Sequence, residues 1–520
     1  MNAVRTIQVR TAFFLFWCFM LRTPIIIGVC ATLLASIGLG FGADARKPFD
    51  EAGVDRIVLN AIQKWDAPGA AVVIVRDGET VYLKGFGYKS VEQKSPVTPD
   101  TLFPLASCSK AFTTVLMARM VDEGVIAWDD PVRTHLPNFH LSDPNADALV
   151  TLRDLVTHRT GLGGHDYLWY RAPWKLDEVI RRASRLPLSA PFRGAYQYSS
   201  IPFMAAGRAV ANRADVPWDE LLREKICDPI GMTGVALTSA EVDGKVDRAT
   251  GYRRTFAGTI EATPLYDIKE PNPAGSVFAT PRDLAAWLKF QLADGMANGK
   301  RVVSAANLAE TKTPHTVMRK DDTIGPVYPD SVQVNYAMGW VAYDHRGKRV
   351  VAHGGVLDGF RTQITLLPDE KIGFALLNNL HQTKMNVALG NSLIDLLLGL
   401  PAKDWDAYFL NVEREEQAAK RAAREAREKA HVPGTKPSAD LARYAGEYED
   451  AAYGTSRVTV KDGHLVWEWS SFRCRLEHYQ GDIFRIVGGH FDDLLVGFYV
   501  KDGRPVAFKA IDVVFVRKQP

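Results

Sequence analysis

Ser107 and Lys110 are the residues whose types and spacing most directly suggest chemistry, and they lie within residues 103–120. Apolar residues recur there at intervals of three and four, which predicts an amphipathic helix with one buried face. Residues three positions apart share a helix face, so the serine hydroxyl and the lysine amine should lie close together. An adjacent base can make a serine nucleophilic. The Ser-x-x-Lys motif is so short, however, that about one match is expected by chance in a chain of this length.

Two later segments contain residue types that could complete such a site: residues 198–200 (Tyr-Ser-Ser) and residues 353–355 (His-Gly-Gly). The second segment is strand-like, and glycines in a strand allow a ligand or another backbone to approach closely. Taken singly, Tyr198 would be an ordinary buried aromatic residue and His353 an ordinary strand histidine. Their order after Ser107 and Lys110 favours a functional interpretation of both.

In this order the three motifs resemble the serine β-lactamase and penicillin-binding-protein superfamily, closest to its class C β-lactamase-related branch. That branch includes DD-peptidases, D-aminopeptidases and esterases. Residues 155–162, 228–232 and 336–340 also resemble the family, and the resemblance covers about residues 50–400. It implies an α/β (α+β) fold in which an antiparallel sheet is flanked by helices and interrupted by an all-α insert.

The resemblance also implies a mechanism. Ser107 would attack a carbonyl to form an acyl-enzyme that water hydrolyses, while Lys110 and Tyr198 share the serine proton. The backbone N–H groups of Ser107 and Val356 would form the oxyanion hole. Which of Lys110 and Tyr198 acts as the base is left open.

The same comparison gives roles to the residues around the strand. Gly354 and Gly355 would let the substrate approach it, and His353 occupies the position where many members carry lysine. His353 is therefore expected to contact the Tyr198 hydroxyl or a substrate carboxylate. Ser200 stands where these enzymes usually have asparagine; its shorter side chain should weaken the contact to an acylamide, which favours an esterase or a less exacting peptidase.

Two neighbouring residues are given structural interpretations. Cys108 lies inside the Ser-Cys-Ser-Lys motif, but nothing in the sequence favours its thiolate, so it is interpreted as a packed helix residue. His158 belongs to a stretch that resembles the family strongly, and it too is expected to be structural.

Other classes of function are set aside. The sequence has no Gly-x-Ser-x-Gly, no His-Glu-x-x-His and no clustered Cys/His set, so neither an α/β-hydrolase nor a metal site is predicted, and no cofactor is expected. A net charge of +3 gives no reason to expect nucleic acid as a partner. The expected partner is a small-molecule or peptide substrate; the oligomeric state is left open.

The N-terminus predicts export. Residues 11–41 are almost wholly apolar, and Ala-Asp-Ala at 43–45 has the form of a cleavage site, so residues 1–45 are interpreted as a signal peptide. Such a protein would be periplasmic or extracellular. The alternative is an uncleaved anchor, because the apolar run nearly reaches spanning length; residues 11–41 would then tether the chain to the inner membrane.

Composition and pattern divide the remaining chain into three parts. Residues 46–405 form the hydrolase domain, with the helical insert at about 131–250, and residues 406–438 form a charged helical linker that ends in Pro and Gly. Residues 439–520 read as closely spaced short strands, which predicts a small barrel or sandwich. This part resembles the lipocalin-like β-domain often appended to the branch.

Three functions remain open. The first is an exported serine hydrolase acting on esters or amides, including D-amino-acid peptides. The second is a β-lactamase or DD-peptidase, which rests on the same motifs. The third is a non-catalytic acyl-binding or sensor protein, suggested by Ser200 and by the C-terminal β-domain.

Overall fold

The computed structural model describes residues 48–519 except 246, 256–257, 322 and 382. The predicted signal peptide or anchor lies outside the described residues. Among the helices that are described, none combines the length and the apolar character needed to cross a bilayer.

The strands of the larger part of the chain differ in length and composition. They are β1 (Gly69–Arg76), β2 (Glu79–Ser90), β3 (Ser95–Pro96), β4 (Phe103–Pro104), β5 (Tyr252–Arg254), β6 (Ile260–Ala262), β7 (Phe278–Ala279), β8 (Met296–Ala297), β9 (Lys300–Arg301), β10 (Thr316–Met318), β11 (Val334–Tyr336), β12 (Val341–His345), β13 (Lys348–Leu357), β14 (Phe360–Leu367) and β15 (Ile372–Asn378). The longer strands, such as β1, β14 and β15, follow apolar, β-branched runs of the sequence, whereas several two- and three-residue strands are polar.

The main sheet is antiparallel and, within the described residues, contains nine strands in the order β10-β11-β12-β13-β14-β15-β1-β2-β3. The Asp77-Gly78 turn joins β1 to β2, as the dipeptide predicts. β1 pairs with β15 in the register Val73↔Ala375, so the first and last strands of the region are neighbours. This confirms the predicted fold class and places β13, the strand that carries His353, inside the sheet.

The helices alternate with these strands and fill most of the region between β4 and β10. They are α1 (Glu51–Trp65), α2 (Ser109–Asp122), α3 (Val132–His135), α4 (Pro144–Leu149), α5 (Leu152–Leu155), α6 (Leu176–Ala183), α7 (Ser200–Ala214), α8 (Trp218–Leu222), α9 (Asp228–Ile230), α10 (Ser239–Asp243), α11 (Pro281–Leu292), α12 (Ala305–Glu310), α13 (Met385–Leu398), α14 (Trp405–Lys429) and α15 (Leu441–Tyr444).

The helices cover both faces of the sheet. α1 and α13 pack together on one face, and α11 packs on the other, against β1 and β15. α2 lies next to α11, where the Phe112 and Trp287 rings stack with centroids 3.8 Å apart. The prediction of a single buried face for α2 was wrong: every residue from Ser109 to Ala118 is buried. The sheet side and the helical insert enclose the helix together, so even its polar residues are removed from water.

The C-terminal strands close into a barrel. In the described part of this region the barrel has eight strands, paired in sequence order. They are β16 (Gly446–Asp450), β17 (Gly454–Lys461), β18 (His464–Trp469), β19 (Phe472–Gln480), β20 (Ile483–Val487), β21 (Leu495–Lys501), β22 (Arg504–Ala510) and β23 (Val513–Arg517).

Side chains fill the barrel interior, as expected for a barrel of this size. Trp467, Phe508 and Phe515 are all buried, and the Phe508 and Phe515 ring centroids lie 5.1 Å apart. α14 precedes the barrel, and Arg427 near its end pairs with Asp493 between β20 and β21. An ion pair therefore attaches the C-terminal end of the charged helix α14 to the barrel.

A buried carboxylate holds the segment that precedes the site. Asp154 caps α5 reciprocally with Thr151, and it also binds Arg159 and Arg193. Burial raises the pKa of Asp154, but the hydrogen bonds from Arg193 and Thr151 and the charge of Arg159 outweigh it, so that the pKa is lowered overall. The carboxylate thereby ties α5 to both ends of the loop that leads to Tyr198.

Replacing Asp154 should destabilise the protein. Asp154→Ala leaves Arg159 and Arg193 without their acceptor, and we expect a loss of about 2–3 kcal/mol in the free energy of unfolding. The expected loss is smaller than that for breaking a fully buried ion pair, because the two arginine side chains are 20% and 43% exposed. Denaturant unfolding measures it. The control, Asp177→Ala, removes an exposed pair with Arg208 and should cost less than about 1 kcal/mol; equal losses would contradict the prediction.

Candidate active site

The turn that carries Ser107 is strained and rigidly held. It is a 3₁₀ turn, Ala106–Cys108, directly before α2, and Ala106 has a φ of 47°. A left-handed backbone is unfavourable for a residue with a Cβ, and such strain is found mainly where the surrounding structure enforces it. Here β13 does so, since Cys108 Sγ donates a hydrogen bond of 3.1 Å to the backbone oxygen of His353.

Gly355 brings β13 against this turn. A methyl group at Gly355 would lie 2.1 Å from the backbone oxygen of Leu105, whereas one at Gly354 would meet only Thr362 O among the described residues, at 3.8 Å. The absence of a side chain at Gly355 therefore allows the Ser107 turn to pack against β13. The two glycines point to opposite faces of the sheet, because residues alternate along a strand.

Ser107 Oγ lies between two proton carriers. Lys110 Nζ is 3.2 Å from it and the Tyr198 hydroxyl is 2.9 Å from it. Lys110 is fully buried, and its amine also contacts the backbone oxygen of Ala274 at 3.0 Å and Ser200 Oγ at 3.4 Å. The proton of Ser107 can thus pass to either neighbour as the hydroxyl attacks a carbonyl.

Tyr198 is positioned by His158. The Gln197 N–H donates to the backbone oxygen of His158 (2.8 Å), and the Ser199 N–H donates to His158 Nδ1 (3.3 Å). The His158 and Tyr198 ring centroids are 4.3 Å apart. Burial, and then the charge of Lys110, lowers the pKa of His158 well below its usual value, so the ring is neutral and Nδ1 can accept. These contacts agree with the structural role expected for this residue.

His353 lies near the site but faces another tyrosine. Its Nε2 is 3.1 Å from the Tyr336 hydroxyl, and its Nδ1 is 2.8 Å from the backbone oxygen of Gly354. These hydrogen bonds to Tyr336 and Gly354 take the place of the expected contact with the Tyr198 hydroxyl, because the His353 ring is directed towards Tyr336. Burial, followed by the charge of Lys110, lowers the pKa of His353 to about 3. The ring is therefore neutral at physiological pH, and its catalytic role stays a prediction.

The remaining predicted residues surround the nucleophile. Ser200 begins α7 and is buried beside Lys110. Val356 lies beyond the last residue of β13 that pairs with β12, Ala352, and its side chain is 45% exposed. This part of β13 is thus an open edge next to the Ser107 turn. A backbone N–H beyond the pairing with β12 suits the predicted oxyanion contact of Val356.

Cys108 is buried like the helix around it. Burial raises the pKa of its thiol to about 12. A thiolate is therefore disfavoured at this position, in agreement with its interpretation as a packing residue.

A loop that the sequence analysis did not single out borders the site. Residues 164–174 lie between the His158 segment and α6 and are rich in aromatic side chains. Tyr170 donates to Asp358, in the turn after β13, and Arg171 pairs with the same carboxylate at 2.9 Å. The high proportion of aromatic residues around Asp166 is the feature of the sequence that could have indicated this loop.

The barrel packs on the same loop. The Tyr453 hydroxyl is 2.9 Å from His165 Nδ1, and Ser470 and Ser471 each donate to the backbone oxygen of Arg171. Nothing in the sequence of either part indicates these contacts, because they join segments about three hundred positions apart. The C-terminal barrel therefore supports the loop at the site.

No group of three or more His, Cys, Asp or Glu side chains that could hold a metal ion occurs in the part of the chain that the structure describes. The chemistry available at Ser107 is that of a serine nucleophile with a neighbouring lysine and tyrosine.

The sequence profile of the beta-lactamase family matches residues 54–398, and the chain belongs to this family. The sheet, the helical insert and the order of the three motifs agree with that assignment. Residues 430–514 match a domain of unknown function, DUF3471, over the range that forms the barrel.

Similar proteins include hydrolases. The chain is 29% identical over 431 residues to "Unguisins hydrolase ungD'" of Aspergillus campestris, covering 79% of this chain and 78% of that protein. It has the fold of an octameric penicillin-binding protein homologue from Pyrococcus abyssi, with a TM-score of 0.59, 21% identity, and coverage of 90% of this chain and 100% of the other. It also resembles EstCE1, a hydrolase with promiscuous acyltransferase activity, with a TM-score of 0.55, 20% identity, and coverage of 65% and 96%.

The two adjacent glycines of β13 should respond differently to substitution. Gly355→Ala places a methyl group against Leu105 O and must displace the Ser107 turn, so we expect kcat/KM for an ester to fall by about a hundredfold. Gly354→Ala meets no close neighbour in the described residues and should stay within about threefold of the unaltered protein. Steady-state kinetics on both variants test this, and a similar loss in both would contradict it.

The buried histidines should make the protein less stable in acid. His158 and His353 are neutral when folded but regain a pKa of about 6.5 on unfolding, so the unfolded chain binds more protons below that pH. Stability is therefore complete above about pH 6.5 and is lost as the pH falls towards 3, by up to about 1.4 kcal/mol per pH unit for each group.

Urea unfolding at about pH 7.5 and about pH 5.0 measures this loss. His353→Gln removes one of the two groups and should reduce the difference between the two pH values. His478→Gln, at an exposed barrel position, should keep the original difference. An unchanged difference in His353→Gln would contradict the assignment of the loss to this ring.

Proposed function

We propose that the protein is a serine hydrolase that cleaves esters or amides, including D-amino-acid peptides, through an acyl-enzyme on Ser107. The observation that carries the proposal is the position of Ser107 Oγ, 3.2 Å from Lys110 Nζ and 2.9 Å from the Tyr198 hydroxyl. The relative named as a hydrolase supports the same class of reaction.

The reaction consists of two displacements. Ser107 Oγ bonds to the carbonyl carbon while its proton moves to Lys110 or Tyr198, and the oxyanion is held by the N–H groups of Ser107 and Val356. The carbon–oxygen or carbon–nitrogen bond then breaks, and the leaving group takes the proton. Water attacks the acyl-enzyme in the second displacement, passing its proton back to Ser107 through the same residues and releasing a carboxylic acid.

The surroundings of Ser107 favour substrates without a carboxylate beside the scissile bond. His353 occupies the lysine position of many relatives but is neutral, because burial lowers its pKa to about 3. A neutral ring offers no charge to a carboxylate of the kind that penicillins and D-Ala-D-Ala peptides carry. Ser200, already directed towards Lys110, also lacks the double hydrogen-bonding capacity of an asparagine amide.

We also propose that the protein acts outside the cytoplasm. The apolar N-terminal segment and the Ala-Asp-Ala sequence at 43–45 support export, with cleavage near residue 45 or retention of the segment as an anchor. Comparing the mass of the mature protein with that of the full chain distinguishes the two.

Ser107→Ala should abolish turnover. We expect the hydrolysis of p-nitrophenyl esters to fall by on the order of a thousandfold or more, because the nucleophile is lost, and covalent labelling by a fluorophosphonate probe to disappear. Ser184→Ala, which removes an exposed hydroxyl bonded to Arg181 O, should keep full activity and labelling. Labelling that persists in Ser107→Ala would refute the proposal.

A substrate panel separates the alternatives. The proposal expects turnover of esters or of D-peptides without a carboxylate at the scissile bond, in excess of any turnover of a cephalosporin or a D-Ala-D-Ala peptide. The reverse order would assign the protein as a β-lactamase or DD-peptidase. Stable acylation of Ser107 with no turnover of any substrate would assign it as an acyl-binding or sensor protein.

A further inference from the structure

An open slot lies beside Gly164, between the backbone of Tyr198 and the side chain of Asp166. A methyl group at Gly164 would have two near neighbours among the described residues, Tyr198 O at 3.8 Å and Asp166 Oδ2 at 4.0 Å. Both atoms are hydrogen-bond acceptors, and one of them carries negative charge. The slot thus presents acceptors to whatever occupies it, within the segment that positions Tyr198.

The Asp166 carboxylate is held in place with one oxygen directed to the slot. Its Oδ1 accepts a hydrogen bond of 3.0 Å from Trp169 Nε1, which leaves Oδ2 as the oxygen next to Gly164. The residue is accessible to solvent although many protein atoms surround its carboxyl group. This desolvation raises its pKa, while the Trp169 bond and the charge of Lys110 act in the opposite direction. Asp166 Oδ2 therefore shares the space beside Gly164 with the backbone oxygen of Tyr198, whose hydroxyl is bonded to Ser107 Oγ.

Aromatic rings flank the carboxylate. Trp169 and Tyr167 belong to the same loop, and Tyr453 of the barrel reaches it through His165. The charge of Asp166 raises the pKa of Tyr167, after the larger effect of burial, and that of Tyr453, after burial and the charge of Asp450. Aromatic faces attract organic cations, so a carboxylate among such rings is a typical setting for an ammonium group.

The two positive charges near the slot are directed to other groups: Arg171 to a carboxylate and Lys110 to neutral oxygens. Arg171, the cation of this loop next to Tyr170, binds Asp358 at 2.9 Å and the Tyr170 hydroxyl. The Lys110 amine is directed to Ser107, Ser200 and Ala274 O. Within the slot itself, an anionic substrate group would therefore be repelled by Asp166, whereas a cationic group would be attracted to it.

We propose that Asp166 and the Tyr198 backbone oxygen bind an ammonium group of the substrate, so that the site prefers amino esters or amino amides with a free amine near the reacting carbonyl. This inference rests on the proposed serine-hydrolase function. Asp166 is then a specificity residue, and the amine, on binding, donates to Oδ2 and to the carbonyl oxygen. The barrel contributes by holding the loop that carries the carboxylate.

Matched methyl esters test the preference. Methyl glycinate and methyl β-alaninate carry an ammonium group where methyl propionate and methyl butyrate carry a methyl group, and monomethyl succinate carries a carboxylate. We expect kcat/KM, divided by the rate constant for hydroxide hydrolysis of the same ester, to be higher for the ammonium esters than for their neutral partners by about tenfold or more, with monomethyl succinate the poorest substrate. Equal values across each pair would overturn the proposal.

Three variants test whether Asp166 and the slot beside Gly164 cause the preference for ammonium esters. Asp166→Asn should lower the ratio of ammonium to neutral ester about tenfold. Gly164→Ala, which fills the slot, should lower the same ratio and keeps the test decisive if Asp166→Asn does not fold. Asp462→Asn removes an equal charge from an exposed barrel turn and should retain the original ratio.

Two results would contradict the inference in different ways. Equal losses on both esters in Asp166→Asn would show that the carboxylate acts on Lys110 and not on the substrate, which overturns the inference alone. Failure of every ester to be hydrolysed, together with no labelling of Ser107 by a fluorophosphonate, would overturn the proposed function and this inference with it.

Discussion

The buried amine of Lys110 is the constraint on which the arrangement of the site depends. A lysine removed from water is costly unless polar groups surround its nitrogen. Ser107 Oγ, Ser200 Oγ and the backbone oxygen of Ala274 meet this need at 3.0–3.4 Å, and the rings of Tyr198 and Phe203 lie 5.0 and 5.5 Å from the nitrogen. Helix α2, helix α7 and the segment before β7 must therefore converge on one atom, which brings Ser107 and Tyr198 together.

The two histidines nearest the site, His158 and His353, are neutral because burial and the charge of Lys110 lower their pKa values. Both histidines hold other parts of the site in place: His158 binds the Tyr198 segment, and His353 joins β13 to Tyr336. The same burial therefore leaves the His353 position on the strand without a charge.

Two differently folded regions meet at the loop of residues 164–174. The helical insert supplies the loop, the turn after β13 anchors it through Asp358, and the barrel holds it through Tyr453 and two serines. A loop fixed at both sides can keep the Asp166 carboxylate in place beside Gly164 and the backbone oxygen of Tyr198 without being part of a long helix or strand. This gives the barrel a role in forming the site even though none of its described residues is bonded to Ser107.

The sequence by itself determined the class of fold, because the alternation of apolar residues, the Asp-Gly turns and the Gly/Pro boundaries are local signals that persist in the folded chain. It also placed Ser107, Lys110, Tyr198 and the β13 motif in order, since their spacing is a property of the chain. The complete burial of α2, the turning of His353 towards Tyr336 and the position of the Gly164–Asp166 segment beside the Tyr198 backbone were decided only by tertiary structure. Each depends on which surfaces pack together, and contacts such as that of Ser470 with Arg171 join segments whose proximity no local pattern encodes.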